Sequence, residues 1–239
     1  MNYLIDQAIS ELDKVKVSRF EYPAGSKDVL DPAGCCFLAS LIRVSNARKV
    51  LEYGSGFSSL MIARELENKK GAFLFSVDSS EKYSKNGSEV VAASCSGIRC
   101  EFRRASVRPH IYNRRLLLGY GLTSKELKKR GYFDLVSIDI PAYNRCICES
   151  AVYEAFEVLK PGGFIVIGNA NSADPRDKKW KKLFGNNAVF HYLDGLGDGI
   201  AVIEKLKDGK PAPLGFSSGI AESCRTLKFA WGMFSGKYN

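Results

Sequence analysis

The chain has 239 residues, of which 45% are hydrophobic and 26% charged, a balance that suits one globular α/β domain and excludes a largely disordered chain. No apolar run approaches the roughly 20 residues of a membrane span, and the first residues lack the basic start and apolar core of a signal peptide. Seven cysteines without a disulfide-like or Cys-x-x-Cys spacing indicate free thiols in a reducing compartment. We therefore predict a cytoplasmic protein.

Two helices are predicted before the first strand. Apolar residues recur at helical spacing between Asn2 and Val17. Asp31-Pro32 is typical of a helix start, because aspartate caps free backbone amides and proline suits the first turn. The second helix should extend to about Val44.

The stretch from Lys49 to Ser59 reads as a buried strand, a turn with two glycines and the start of a helix. Gly54 and Gly56 permit positive φ and remove the Cβ atoms that would keep a ligand from the backbone. A strand, a glycine turn and a helix N-terminus together form a nucleotide-type binding loop. A Gly-x-Gly pair alone is also compatible with a plain structural turn.

The next predicted strand, Ala72 to Val77, ends on Asp78, about 20 residues after the second glycine. This spacing fits a carboxylate that accepts hydrogen bonds from two ribose hydroxyls. An acid at a strand end can also serve solubility alone.

The remaining elements are predicted in alternation. They are a helix over Tyr83–Ser96, a strand over Ile98–Ala105, a basic insertion over Val107–Arg130 that packs partly as helix through Leu116, Leu117 and Leu118, a strand over Phe133–Ile140, a helix over Arg145–Leu159 that Lys160-Pro161-Gly162-Gly163 ends, a strand over Phe164–Gly168, and a hairpin of Ala188–Leu193 and Ile200–Lys205.

These motifs together resemble class I S-adenosylmethionine-dependent methyltransferases. The resemblance rests on Glu52-x-Gly54-x-Gly56, on Asp78, on Phe133-Asp-Leu-Val with Asp139, on the Lys-Pro-Gly-Gly run and on the terminal hairpin. It implies an α/β fold with a doubly wound, mostly parallel seven-stranded sheet, an antiparallel last strand and helices on both faces. It also implies one methyltransferase domain over residues 1–206, with a helical cover at 1–46, a Rossmann-like core at 47–206, and a C-terminal extension at 207–239.

The resemblance assigns roles to particular residues. For S-adenosylmethionine the expected contacts are Glu52, Gly54, Ser55, Gly56, Ser58, Ser59, Asp78, Ser79, Ser106 and Asp139. The candidate catalytic residues are Asp139, as general base or acceptor-orienting group, Tyr143 and His110. The candidate acceptor contacts are Arg145 and Asn169 at the strand ends. Arg114 and Arg115 are added from the basic insertion, because a guanidinium matches the geometry of phosphate or carboxylate. The alternative for Asp139 is a strand-end carboxylate that caps the following turn.

Metal-dependent O-methyltransferases of the catechol type carry one Asp after the fourth strand and an adjacent Asp-Asn after the fifth. Asp139 and Asn169 match the first Asp and the Asn, but Gly168 stands where the second Asp belongs. Because two oxygen ligands make a poor site for a hard cation, we expect no metal.

Charge is concentrated between Arg99 and Arg130, where ten basic residues meet two acidic ones, a net +8 out of the chain's +9. Such a concentration favours an anionic partner, although a solvated basic face also explains many charge runs.

The leading hypothesis is therefore an enzyme that moves a methyl group from S-adenosylmethionine to an oxygen or nitrogen of a small, anionic acceptor. An RNA methyltransferase is an alternative that the charge favours, but no Asn/Asp-Pro-Pro-Tyr motif is present. A dehydrogenase that binds NAD(P) is opposed by Glu52 and the terminal hairpin. A cofactor-binding protein that has lost its chemistry is a further alternative.

Overall fold

The computed structural model describes residues 2–15, 30–112, 115–140, 145–173, 177–209, 211–212, 223–224, 226–228 and 230–231. The strands are β1 (Lys49–Tyr53), β2 (Phe73–Asp78), β3 (Arg99–Arg104), β4 (Val107–Tyr112), β5 (Arg115–Tyr120), β6 (Phe133–Ile138), β7 (Leu159–Gly168), β8 (Ala188–Leu193) and β9 (Ile200–Lys205). The helices are α1 (Tyr3–Ser10), α2 (Pro32–Val44), α3 (Phe57–Leu66), α4 (Glu81–Ser94), α5 (Ser124–Lys128), α6 (Arg145–Val158) and α7 (Asp177–Phe184).

Seven strands form one sheet in the order β3-β2-β1-β6-β7-β9-β8. Six of them run parallel, and β9 lies antiparallel between β7 and β8. This confirms the predicted sheet with its antiparallel last strand. The strand order reverses between β1 and β6, and in open α/β sheets such a reversal opens a crevice at the carboxyl ends of the strands.

Helices cover both faces of the sheet, as predicted. Successive residues of β1 show the division, because Val50 packs into one hydrophobic cluster and Leu51 into the other. The cluster around Val50 takes α1, α2 and α3, whereas the cluster around Leu51 takes α6, α7 and the β4–β5 hairpin. Among the described helices, none is long and apolar enough to cross a membrane.

The N-terminal helix is shorter than expected and ends at Ser10, before a single 3₁₀ turn over Leu12–Lys14. The second helix follows the prediction, since the Asp31 carboxylate caps α2 by accepting from the Gly34 amide at 2.7 Å. The division into domain and extension stays a prediction.

Two further predictions of secondary structure are wrong. The insertion after β3 is an antiparallel hairpin of β4 and β5 followed by the short α5, so the three leucines at 116–118 lie on a strand rather than a helix. The hairpin packs closely on α6, where a Cβ on Gly119 would collide with the Ser150 hydroxyl. The second error concerns residues 160–163, which lie inside β7, next to a register shift between β6 and β7.

Candidate active site

The glycine loop lies at the carboxyl end of β1, where the strand order reverses. Gly54 has φ +98°, and a Cβ there would collide with the carbonyl oxygen of Asp139, so this position requires glycine. Its amide donates to Val77 O at 2.8 Å and ties the loop to β2. A Cβ on Gly56 would meet nothing within 4 Å, which leaves an open cradle beside the start of α3.

Glu52 lies beneath this loop and is fully buried. Its carboxylate accepts from the hydroxyls of Ser58 at 2.7 Å, Ser59 at 2.5 Å and Ser76 at 2.6 Å. Burial raises the pKa of Glu52 to about 7, although the three hydroxyls oppose this shift. The carboxylate therefore holds the loop and the start of α3 in place.

Two serines of the expected cofactor site have a structural role that the sequence did not predict, and their contact with the cofactor stays a prediction. The side chains of Ser58 and Ser59 are buried and bonded to Glu52, so they position the loop instead of reaching into the cradle. Ser55 is similar, since its hydroxyl lies 2.8 Å from the Ser76 hydroxyl. Ser76 was not predicted, and the signal for it was a serine in an otherwise apolar strand.

Asp78 ends β2 and faces the same loop. Its carboxylate accepts from the Ser55 amide at 2.8 Å and the Ser80 amide at 2.6 Å. Burial raises the pKa of Asp78, and these backbone hydrogen bonds oppose the rise. Ser79 follows on the exposed surface.

Ser106 lies beside Asp78, at the end of β3. The Ala105 amide donates to Asp78 O at 2.8 Å, and the Ser106 carbonyl accepts from the Gly121 amide at 2.9 Å. Ser106 itself is exposed. The structure therefore brings the glycine loop, Asp78 and Ser106 to one edge of the sheet.

Asp139 follows β6 at this edge and is 8% exposed. Both of its carboxylate oxygens accept from the Leu30 amide, at 2.8 and 2.9 Å. Burial raises the pKa of Asp139 to about 7, the Leu30 hydrogen bond lowers it, and the charge of Asp78 raises it further. The carboxylate is thus fixed by the residues just before α2, a contact across 109 residues that no local pattern signals.

The position of the missing second carboxylate lies next to Asp139. A Cβ on Gly168 would stand 3.6 Å from Asp139 Oδ1 and 2.9 Å from Leu30 Cδ1, so Leu30 fills the space that a larger side chain would need. Asn169 follows with φ +52°. Within the described ranges, no group of three His, Cys, Asp or Glu side chains is placed to hold a metal ion. Gly168 therefore supplies no ligand beside Asp139.

His110 does not join this group. It lies on β4 with Nε2 3.0 Å from Ser150 Oγ and 3.6 Å from Glu154 Oε1, so its contacts are with α6. Burial lowers the pKa of His110. Glu154 also accepts from the Tyr53 hydroxyl at 3.1 Å, and burial raises the pKa of Glu154 to about 8.

Arg115 was expected to bind an anionic acceptor, and the structure corrects this. Its side chain is buried, 2.6 Å from Glu149 Oε1 and with the guanidinium carbon 4.4 Å from the centre of the Tyr153 ring. Arg115 therefore joins the hairpin to α6. Arg114 and Tyr143 lie outside the described residues, as does the side chain of Arg145 at the start of α6.

The expected concentration of free positive charge is also corrected. Residues outside the Arg99–Arg130 segment supply acids that the count within the segment omits. Ion pairs join Arg104 to Glu81, Arg115 to Glu149, and Lys128 to Glu157. A net charge counted along the chain therefore overstates the field at any one surface.

Comparison with known proteins gives a structural answer only. No protein-family model matches the chain, and no curated protein matches its sequence. Solved structures do match. The O-methyltransferase TomG from Streptomyces achromogenes, in complex with SAM, is 15% identical over 87% of this chain and 91% of its own, with a TM-score of 0.52.

Two further structures agree. A methyltransferase from Geobacter sulfurreducens is 9% identical over 83% of this chain and 90% of its own, with a TM-score of 0.54. An SAH-bound methyltransferase from Podospora anserina is 15% identical over 87% and 89%, with a TM-score of 0.50. Identities this low establish shape and not activity. The chain has the fold of class I S-adenosylmethionine-dependent methyltransferases.

Proposed function

We propose that this protein is an enzyme that transfers a methyl group from S-adenosylmethionine to an oxygen or nitrogen of a small, anionic acceptor, without a divalent metal. The observation that carries the proposal is the position of Asp139. This buried carboxylate, with a pKa raised to about 7, follows the strand next to the glycine loop, and the loop passes against its backbone.

The residues at this edge suit the cofactor. The open cradle at Gly56 offers room beside the start of α3. The Asp78 carboxylate, which ends the neighbouring strand and bonds the loop, would accept from ribose hydroxyls. Ser79 and Ser106 are the exposed polar residues next to Asp78. Glu52 acts from below by fixing the loop.

Methyl transfer requires few catalytic side chains. S-adenosylmethionine, when bound, supplies an electrophilic methyl group, so the protein contributes position and a proton acceptor. Asp139 would take the acceptor's proton at its carboxylate as the acceptor is methylated. A base with a pKa near 7 is matched to that task at neutral pH.

Metal independence rests on Gly168 and Leu30. Glycine provides no ligand at the position of the second carboxylate, and Leu30 occupies the adjoining space. Arg115 is buried in an ion pair with Glu149, so an anionic acceptor needs a different arginine. Arg108 is exposed on β4 and, with Gly121 beside it, lies near Ser106. It is the arginine that we propose for an anionic acceptor.

The test is transfer of a labelled methyl group from S-adenosylmethionine into fractionated small metabolites, with and without a chelator. We expect labelling of one anionic fraction at an equal rate in both arms. Labelling that needs added magnesium would overturn metal independence alone. Failure to bind S-adenosylmethionine by calorimetry would overturn the whole proposal, and cofactor binding without transfer to any fraction would indicate a protein that has lost its chemistry.

A further inference from the structure

A second concave surface lies at the opposite edge of the sheet, where the parallel strands begin. The cleft has a volume of about 660 Å³, within the range of small-molecule sites. Its wall consists of the turn after α3, the starts of β1, β2 and β3, and the residues after α5. Six basic residues line it: Lys49, Lys69, Lys70, Arg99, Lys129 and Arg130.

Two of these six cations already have structural partners. Lys69 Nζ donates to the carbonyl oxygens of Ile42 at 2.8 Å and Ala47 at 3.1 Å, so it closes the C-terminal end of α2. Arg130 forms a two-pronged pair with Glu101 and lies over the Phe75 ring. The charged groups of Lys69 and Arg130 therefore hold the fold together, and neither is part of the proposed ligand site.

The other four cations are held by fewer contacts. Within the described residues, no carboxylate lies at ion-pairing distance from Lys49, Lys70, Arg99 or Lys129. Lys49 Nζ makes one long hydrogen bond, to Arg130 O at 3.4 Å, and a lysine ammonium has three donors. Lys70, Arg99 and Lys129 are all exposed.

Among the described residues that line the cleft one is an acid, Glu67, and six cations against one acid leave the lining net positive. Glu67 Oε1 accepts from the amides of Ser96 at 2.9 Å and Gly97 at 3.3 Å, so it holds the loop before β3. Arg99 is held in place from the other side, with its guanidinium carbon 4.8 Å from the centre of the Phe73 ring. A concave wall of like charges raises the local concentration of counter-ions.

We propose that this cleft binds a compact polyphosphate, such as the phosphate chain of a nucleoside triphosphate. Within the part of the chain that the structure describes, Lys49, Lys70, Arg99 and Lys129 neither pair with an acid nor close a helix end. Four such cations around one cavity match three linked phosphates better than a single carboxylate. Guanidinium and ammonium groups are the side chains that hold phosphate through charge-assisted hydrogen bonds. The cavity's size favours a compact ligand over an extended chain.

This site is separate from the glycine loop. Lys49 begins β1 and Gly54 follows its end, so about 16 Å of strand lies between them at about 3.3 Å per residue. A polyphosphate in the cleft therefore leaves the carboxyl edge free, and the inference does not depend on the proposed methyl transfer.

The experiment is calorimetric titration of the full chain with inorganic tripolyphosphate at low and high salt. We expect binding that weakens as salt screens the charges. The double variant Lys70→Gln/Lys129→Gln should raise the dissociation constant about tenfold for each lysine removed. The matched control, Lys82→Gln/Lys182→Gln, removes the same charge from exposed positions elsewhere and should leave the constant unchanged.

Further arms identify the source of the phosphates. Equal binding of tripolyphosphate, ATP and GTP would support recognition of the phosphate chain, and tighter nucleotide binding would add a contact to the nucleoside. Equal losses in the cleft and control variants would overturn the site, because net charge alone would explain them. A short single-stranded oligoribonucleotide is the last ligand to test. If it binds more tightly than tripolyphosphate, and if the cleft variant loses that affinity, the proposal of a compact ligand would be overturned in favour of RNA.

Discussion

At the carboxyl edge of the sheet, Glu52, Asp78 and Asp139 are buried beneath the loops that follow the strands, and each is held by neighbouring hydroxyls or amides. At the amino edge, Lys70 and Arg99 stand in the open, without a described acid at ion-pairing distance. The two ends of the sheet therefore differ in charge and in burial, with buried acids at the carboxyl edge and exposed cations at the amino edge.

The difference separates the ligands that each edge can take. Buried acids suit a cationic ligand such as the sulfonium of the proposed cofactor, and their raised pKa values bring proton exchange near neutral pH. Exposed cations suit anions and draw them from a distance. Because the edges are about a strand's length apart, each can be altered without the other.

The largest expected effect is on turnover. Asp139→Asn should lower kcat by about 10²–10⁴-fold, the usual loss for a general base, while S-adenosylmethionine affinity stays near that of the wild type. Asparagine retains an oxygen that can accept from the Leu30 amide, so the fold should survive. The measurement is initial rate against acceptor concentration, with calorimetry of the cofactor.

The matched control lies on the same strand at the other edge. Asp134 accepts from the amides of Arg48 and Lys49 and pairs with Lys160, so Asp134→Asn makes the same chemical change far from the glycine loop. Its kcat should change far less. Equal losses in the two variants would mean that Asp139 contributes only to structure.

The next effect is on cofactor affinity. Asp78→Ala should weaken S-adenosylmethionine binding by about 1.5–3 kcal/mol, the scale of losing charge-assisted hydrogen bonds. Asp78→Asn keeps an acceptor for the Ser55 amide and should lose less, which separates the ligand contact from support of the loop. Calorimetry in which the alanine variant binds like the wild type, or in which the wild type prefers NAD, would contradict this reading of the carboxyl edge.

The sequence was informative where local chemistry decides the structure. The hairpin of β8 and β9 was predicted residue for residue, because two strand-like runs flank a turn rich in residues that tolerate positive φ. The turn at Gly54 was also predicted, because glycine readily adopts the positive φ that this turn needs. Two predictions for the basic insertion were wrong. Its leucines are compatible with a helix or a strand, so the sequence did not reveal the hairpin. The partner of Arg115 lies on α6, far along the chain, so the sequence did not reveal that this arginine is buried. Local patterns also could not place the Leu30 amide on Asp139.

The last prediction concerns stability. It tests whether burial raises the pKa values of the acids at the carboxyl edge. The pKa of Glu52 is raised from 4.5 to about 7 in the folded protein. Between these values the unfolded chain binds fewer protons at this residue than the folded one, so the free energy of unfolding falls as pH rises. One such group contributes a slope of up to about 1.4 kcal/mol per pH unit within that window. Asp139, raised from 3.8 to about 7, adds to the same fall.

Glu52→Gln should remove its share of this slope, because glutamine does not titrate. Its carbonyl can accept from two of the three serine hydroxyls, so the loop keeps part of its support. Urea unfolding at several pH values between 5 and 8 measures the slope in the wild type and the variant. Glu89→Gln is the control, since the Glu89 side chain is 63% exposed on α4 and stays in water in both states. A Glu52→Gln slope as steep as that of the control would mean that the carboxylate is ionised throughout, held by its hydroxyls against burial. The proposed contrast between a buried acidic edge and an exposed basic edge would then rest on position alone and not on proton affinity.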